Sequence, residues 1–598
     1  MIPRATIVTL ALAVLAGAPA SLADAVDLTV SGVEVTQATQ KPDNSIKLVA
    51  LRSTAIRATV GVTGTGGAMV ANVTGVVHVL RNGTEITPSG GVAPLAAISA
   101  PVAPSRANEA DTLNFELPTA TLDQLTATTN LDVRVDITPV AGETDTTNNS
   151  GAANDLTVTA GVNPTLYFTR INYTPSGLGL PATALIQPGV GDAFVRGILP
   201  VNDRDPNLYR QGLFPSLPYA GDANGDGVLD ALGPDGNPLL TLLEQCRQLI
   251  VSNGLGATET TFLYGWLAGN PIDGNGLAGI GGRTAFGNTD PIRSQRSYAH
   301  ELTHNLGFDH ITTTIDQVGW DVGARLPNNP ATNNTTGRVK PTTLFDIQVG
   351  GQLTNSAWVD TPKYTSLLGN TSLGFGTGGD ARADIRKRAR RQVLAIQGTL
   401  SRDGRRVLRL EPVFRYPWLS QPTRSTATGD YIAEVVTTTG GVIRARFDGG
   451  IHDDRAVDIP TFGAFSVMVG TTAEIASVRI LRRGNKESLA TLRRSAQPPR
   501  LTIIVPGAKS RLAKRTVVRW RATDPDTPRS ALRFQVAYSP DAGRTFVPVA
   551  VAVRGNAVAF DSISIQRSRG RGIIRVFVSD GLNTSFADVT GLTKTATP

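Results

Sequence analysis

The sequence predicts a multidomain chain in which all-β, Ig-like β-sandwich modules flank one region of mixed α+β structure. Three observations carry this expectation. A single hydrophobic core stops growing near about 250 to 300 residues, and this chain has 598. Most of it reads as short runs of alternating β-branched residues broken by Gly, Asn, Pro and Asp, in keeping with 62 Gly and 37 Pro. Strand-like and helix-like runs mix only between about residues 161 and 379.

The first 23 residues hold Arg4, an apolar run from Ala5 to about Leu15, and small residues ending in Ser21-Leu22-Ala23. That is the pattern of a secretory signal peptide cleaved after Ala23, so a secreted, extracellular protein with no transmembrane anchor in its mature form is expected. Residues 24–160 read as an N-terminal Ig-like sandwich. VDLTVSGVEVTQ, VTGVVHVLRNGTEI and LDVRVDITPV are its clearest strands, and His78 within it is a strand histidine. In residues 161–379, Thr165–Tyr173 looks like a strand and 238–254 like a helix. Residues 258–269 and 276–286 follow as further strands, and a helix opens near Asp290-Pro291 as N-cap and first helical residue. Alternating text returns for a sandwich over 380–497, and Pro498-Pro499 introduces a last Ig-like or fibronectin type III-like β domain over 498–598.

Cys246 is the only cysteine, so no internal disulfide can form. Its place in an apolar helical run makes it a packing residue. The net charge of +8 permits attraction of the β modules to cell-surface or acidic polymers. The densest basic cluster, Arg386 to Arg391, has no interleaved aromatics and the chain has no nucleic-acid motif, which excludes nucleic-acid binding.

Three of the five histidines fall in one segment, HELTHNLGFDH, from His300 to His310. On a helix, positions i and i+4 share a face, so His300 and His304 can direct their imidazoles at one ion while Glu301 reaches a water bound to it. Gly307 can take a left-handed backbone, end the helix and let the chain return His310 as a third ligand. Three imidazoles with a fourth position left for water describe a catalytic zinc site rather than a closed structural one.

This segment resembles the HExxHxxGxxH signature of the metzincin zinc metallopeptidases. The resemblance implies a metzincin-like (zincin) catalytic domain, a Zn2+ ion on His300, His304 and His310, Glu301 as general base, and protein or peptide substrates. It also implies that 276–286 forms an edge strand able to pair with an extended substrate backbone. The run from Leu344 to Gly350, followed by AWVDTPKYTSLL, resembles the family's methionine turn and closing helix. In that alignment Gln348 stands where methionine is usual, and Gly350 where some members carry a zinc-facing tyrosine.

Asp222, Asn224, Asp226 and Asp230 alternate oxygen side chains with glycines, as at the start of an EF-hand-like calcium loop, although Gly233 stands where the closing glutamate belongs. A structural Ca2+ site and a plain acidic turn both remain open. His452, in GGIHDDRA, reads as a surface turn. The leading expectation is therefore a secreted zinc endopeptidase. The alternatives are a catalytically weak or inactive surface-binding or adhesin protein of the same architecture, and a zinc amidase.

Overall fold

The computed structural model of the protein describes residues 25–594, apart from 144, 162, 223, 232–234, 253–259, 327–336, 371–372, 374–390, 402–403, 421–428, 448–450, 454–461, 485–486, 545 and 562–566. The expected signal segment and Arg386–Arg390 lie outside the described residues. Among the described residues, no helix is long and apolar enough to cross a membrane.

Alternation builds the N-terminal module. In Thr128–Ile137 the residues Leu131, Val133, Val135 and Ile137 are buried while Arg134 faces solvent, the period of two that a half-buried strand requires. The module stacks a three-stranded sheet on a five-stranded one, ordered Leu48–Val49, Ser150–Thr159, Thr128–Ile137, Gly75–Arg81, Thr84–Glu85. His78 lies in it as a strand histidine, its Nδ1 2.6 Å from Glu85 Oε1.

The middle region is organised by a six-stranded sheet in the order Tyr209–Tyr219, Thr165–Tyr173, Thr261–Leu267, Thr284–Asn288, Gly276–Gly279, Ile451–Asp453. Its first four strands run parallel, and the last two are added antiparallel. Every residue of Thr261–Leu267 is buried, as expected of a strand covered on both faces. On one face the helix Gly236–Ser252 packs Leu239, Leu242, Leu243 and Cys246 onto Ile171, Leu263 and Leu267. On the other, Tyr298, Ala299 and Leu302 of the helix Ser294–Asn305 pack with Phe168, Tyr264 and Trp266. Burial raises the Cys246 thiol far above its usual range, in keeping with a packing role.

The expectation of an α+β metzincin-like (zincin) domain flanked by all-β sandwiches is corrected by this architecture. The described chain is mostly β, 44% strand against 13% helix, and three of its six α-helices span only four to six residues. The middle region does not close on itself either. Its sheet is completed by Ile451–Asp453, its cores take in Ala38, Ile46 and Val49 from the N-terminal module, and Val551 joins from the C-terminal one. The physical reason is that frequent Gly, Pro and Asn keep elements short, so apolar surface is buried between modules rather than under long helices.

Both junctions are specific. Arg52, 1% exposed, donates to the carbonyls of Gln37 (3.1 Å), Gly197 (2.7 Å), Val201 (3.1 Å) and Leu199, and Ala38 O accepts from Trp358 Nε1 at 2.8 Å. On the far side, Gln245 of the long helix donates to Tyr416, whose hydroxyl donates to Gln535 Oε1 at 2.8 Å. Truncating Arg52 to Ala would strand several buried carbonyls at once, each costing about 1–3 kcal/mol. The expected loss is about 3–4 kcal/mol, read as a lower urea midpoint by tryptophan fluorescence. Arg52→Lys should recover only part, because an ammonium cannot span the fork of acceptors.

The C-terminal half follows the expected strand text. One sandwich sets Arg391–Ser401 and Phe462–Gly470 against Tyr431–Thr437 and Ile475–Arg482. The last sets Arg500–Val505, Arg515–Thr523 and Ala557–Asp561 against a four-stranded sheet. Phe465, Val467, Val478 and Ile480 fill the first core, and Trp520, Phe534 and Val576 the second.

Candidate metal centre

The helix Ser294–Asn305 starts slightly later than its sequence signals suggest. Asp290 Oδ1 accepts from Ile292 N at 3.1 Å, and Asp290 O accepts from Ser294 N at 2.8 Å, so Pro291 forms a lead-in turn. At the other end Gly307 adopts φ +101°. Phe308 N donates to Thr303 O (3.1 Å) and Gly307 N to His304 O (2.9 Å), the paired bonds of a Schellman stop. A side chain at Gly307 would strain that backbone. The stop reverses the chain and brings His310 back over the helix.

The three imidazoles meet edge to edge. His300 Nε2 lies 3.0 Å from both His304 Nε2 and His310 Nε2, and the last two are 3.2 Å apart. His300 and His304 are fully buried, and His310 is half-buried. Behind the cluster, His300 Nδ1 lies 2.7 Å from Ile347 O and 3.0 Å from Arg296 Nη2, and His304 Nδ1 lies 2.8 Å from Phe308 O. The three Nε2 atoms face a common centre. Ligands about 2.0–2.1 Å from one tetrahedral zinc stand roughly 3.4 Å apart, so the donor set and spacing fit Zn2+, with carbonyls orienting the rings from behind.

The floor under the triad comes from the turn over Leu344–Gly350. Gln348 is fully buried and its Nε2 donates to His300 O at 3.1 Å and to Thr303 Oγ1, which itself donates to His300 O at 2.8 Å. Asp346, also buried, accepts from Gln348 N at 2.8 Å and pairs with Lys363 Nζ at 2.8 Å, fixing the turn to the helix Thr361–Leu368. Arg296, one turn before His300, donates to Ile347 O at 2.9 Å and to Val349 O. The amide at 348 thus supports the ligand helix by hydrogen bonds where a methionine would support it by packing. Gln348→Ala is expected to weaken zinc binding by about tenfold, measured by competition with a chromogenic chelator.

Glu301 is also fully buried. A Cβ placed on Gly276 would stand 2.7 Å from Glu301 Oε1, 2.8 Å from its Cγ and 2.9 Å from Phe286 O, so the carboxylate lies directly against the start of Gly276–Gly279. Asn305 ties the same helix to that hairpin through Gly279 O (3.0 Å) and Thr284 O (3.2 Å). The expected edge strand over 276–286 is resolved into two, and only Gly276–Gly279 lies toward the sheet margin.

The acidic loop is arranged differently. Asp222 accepts from Gly225 N (2.7 Å) and Gly227 N (3.0 Å), Asn224 Oδ1 from Asp226 N (3.1 Å), and Asp226 Oδ1 from Val228 N (2.7 Å). Asp230 accepts from Gly236 N through its main chain at 3.1 Å. Among the described residues, the histidine triad is the one group of three or more His, Cys, Asp or Glu with converging ligand atoms, all within 4.8 Å of one another. His452, read from sequence as a turn, is in strand Ile451–Asp453.

Sequence reasoning missed Arg296, Asp346 and Gly276. Arg296 was open to inference, since it stands four residues before His300 on the same helical face. The roles of Asp346 and Gly276 are long-range, and no local spacing marks them.

No family model and no curated protein matches the chain. Among solved structures, the chain is similar at 11% identity and a TM-score of 0.13 to the FN1–FN3 domains of chicken CNTN1, covering 35% of this chain and 65% of that one. It is similar at 13% identity and a TM-score of 0.11 to the chicken interferon gamma receptor alpha chain, covering 34% of this chain and 100% of that one. It is similar at 9% identity and a TM-score of 0.11 to a glycosyl hydrolase family 2 member from Bacteroides cellulosilyticus, covering 93% of this chain and 79% of that one.

Proposed function

We propose that the protein is a secreted zinc-dependent endopeptidase. The observation that carries this reading is the convergence of three imidazole nitrogens, two of them on the helix whose buried Glu301 lies against Gly276, at the start of the strand next to the outermost one of the sheet. The metzincin-like spacing of His300, Glu301, His304, Gly307 and His310 supports it, as does the signal-like N-terminus.

His300, His304 and His310 would hold the ion through Nε2. Bound there, zinc supplies a Lewis acid for the scissile carbonyl and a water that ionises near pH 7 (about). With the ion held there, Glu301 would serve as the base, accepting a proton from a water in the site and giving it to the departing amide nitrogen. Its burial against Gly276 fixes the carboxylate, so little reorientation is needed as the proton moves. The main chain of Gly276–Gly279 supplies a row of hydrogen-bonding groups that can align an extended peptide, which makes a polypeptide the substrate class.

The second reading, a binding protein that holds zinc without turnover, draws on Gln348 in place of the turn methionine. Elemental analysis and casein cleavage by purified residues 24–598 decide between them. About one zinc per chain is expected, with cleavage abolished by 1,10-phenanthroline and restored by added zinc. Bound zinc with no cleavage under any loading would favour the second reading, and absence of zinc would remove both.

A further inference from the structure

The sheet margin nearest the histidines is already covered by the chain itself. Gly276–Gly279 pairs antiparallel with Ile451–Asp453, setting Gly279 opposite Ile451, Ala278 opposite His452 and Leu277 opposite Asp453. The next residue along that margin, Gly276, is the one against which the Glu301 carboxylate lies. An outer strand offers a single outward row of N–H and C=O groups, so an extended substrate and Ile451–Asp453 must compete for the same row. We propose that Ile451–Asp453 is a resident, substrate-like occupant of the peptide-binding edge, holding the enzyme latent until the segment is displaced.

This rests on the peptidase reading above and adds its regulation. The sequence GGIHDDRA lacks the apolar alternation of a self-sufficient strand, and the extended form of Ile451–Asp453 depends on pairing with Gly276–Gly279. Only three residues pair, so the ladder is short enough to open. Because the segment is tethered, its effective concentration is on the order of millimolar, and a free polypeptide at micromolar concentration competes poorly. What anchors it is separate. The strand Phe462–Gly470 pairs along its whole length with Arg391–Ser401 and can stay in place when the three residues leave. Latency here needs no propeptide thiol, and the lone Cys246 is buried on the far face of the sheet.

In an antiparallel ladder alternate residues turn their N–H toward the partner, so proline at one of two adjacent positions must remove a ladder bond. Ile451→Pro and His452→Pro are therefore compared, each with zinc content and unfolding midpoint as checks on the fold. One of them should raise kcat/KM for casein at least tenfold over the parent chain. In a Glu301→Gln background, where hydrolysis cannot interfere, the same substitution should tighten binding of fluorescein-labelled casein at least tenfold and speed amide exchange across Gly276–Gly279.

Folded, zinc-loaded variants that match the parent in cleavage, binding and exchange would overturn the proposal while leaving the peptidase reading intact. Tighter binding and faster exchange, with no cleavage by any chain, would support the occupied edge and remove the peptidase reading instead.

Discussion

Glu301→Gln should lower kcat for casein by about 10²–10⁴-fold while leaving zinc content unchanged. The separation of the two readouts follows from the geometry. The converging atoms that would face a metal are the Nε2 nitrogens of His300, His304 and His310, and the Glu301 carboxylate lies against Gly276. Glutamine keeps the volume and the packing of the buried side chain, so the fold and the ligand helix should persist. What it removes is the ability to accept a proton from a water and pass it on. Unchanged cleavage in the zinc-loaded variant would mean that another group carries the proton.

Gly276→Ala should be nearly as damaging from outside the catalytic set. The added methyl would meet Glu301 Oε1 at 2.7 Å and Phe286 O at 2.9 Å, both shorter than carbon normally approaches oxygen. Side chain and strand must shift by several tenths of an ångström, and a displacement of about 1 Å in a catalytic group can cost about 10²-fold. A fall of about that size in kcat/KM is expected, with zinc retained and only a modest loss of stability. If the carboxylate is displaced, the loss should appear in kcat; if the edge strand is displaced, it should appear in KM.

The histidine cluster is legible in the sequence because its parts are local. His300 and His304 are one helical turn apart, Gly307 supplies the stop, and His310 follows within the radius of the reversed chain. The run Leu344–Gly350 was singled out in the sequence, and Gln348 in it donates to His300 O. The alternating strands of the flanking modules were equally legible, because burial of one sheet face leaves a period of two in the text.

What escaped was non-local. Nothing near Arg52 announces that its guanidinium will gather carbonyls from Gly197 to Val201, and without that junction an α+β zincin domain flanked by sandwiches was the natural expectation. Ile451–Asp453 looked like a turn because its strand depends on a partner more than 170 positions earlier. The acidic loop's oxygen pattern is equally plain in sequence, and Asp222 and Asp226 accept hydrogen bonds from their own loop's amides. Pattern names the donors available; only the fold decides where they point.

The most direct test of the account is mass-spectrometric detection of new peptide termini in casein. The substrate is incubated with zinc-loaded residues 24–598 and, in parallel, with the equally loaded Glu301→Gln chain. New termini are expected with the first and not with the second, slowly from the intact chain and faster once the Gly276–Gly279 edge is uncovered. Absence of new termini from every zinc-loaded chain, including those with the edge uncovered, would contradict the endopeptidase reading.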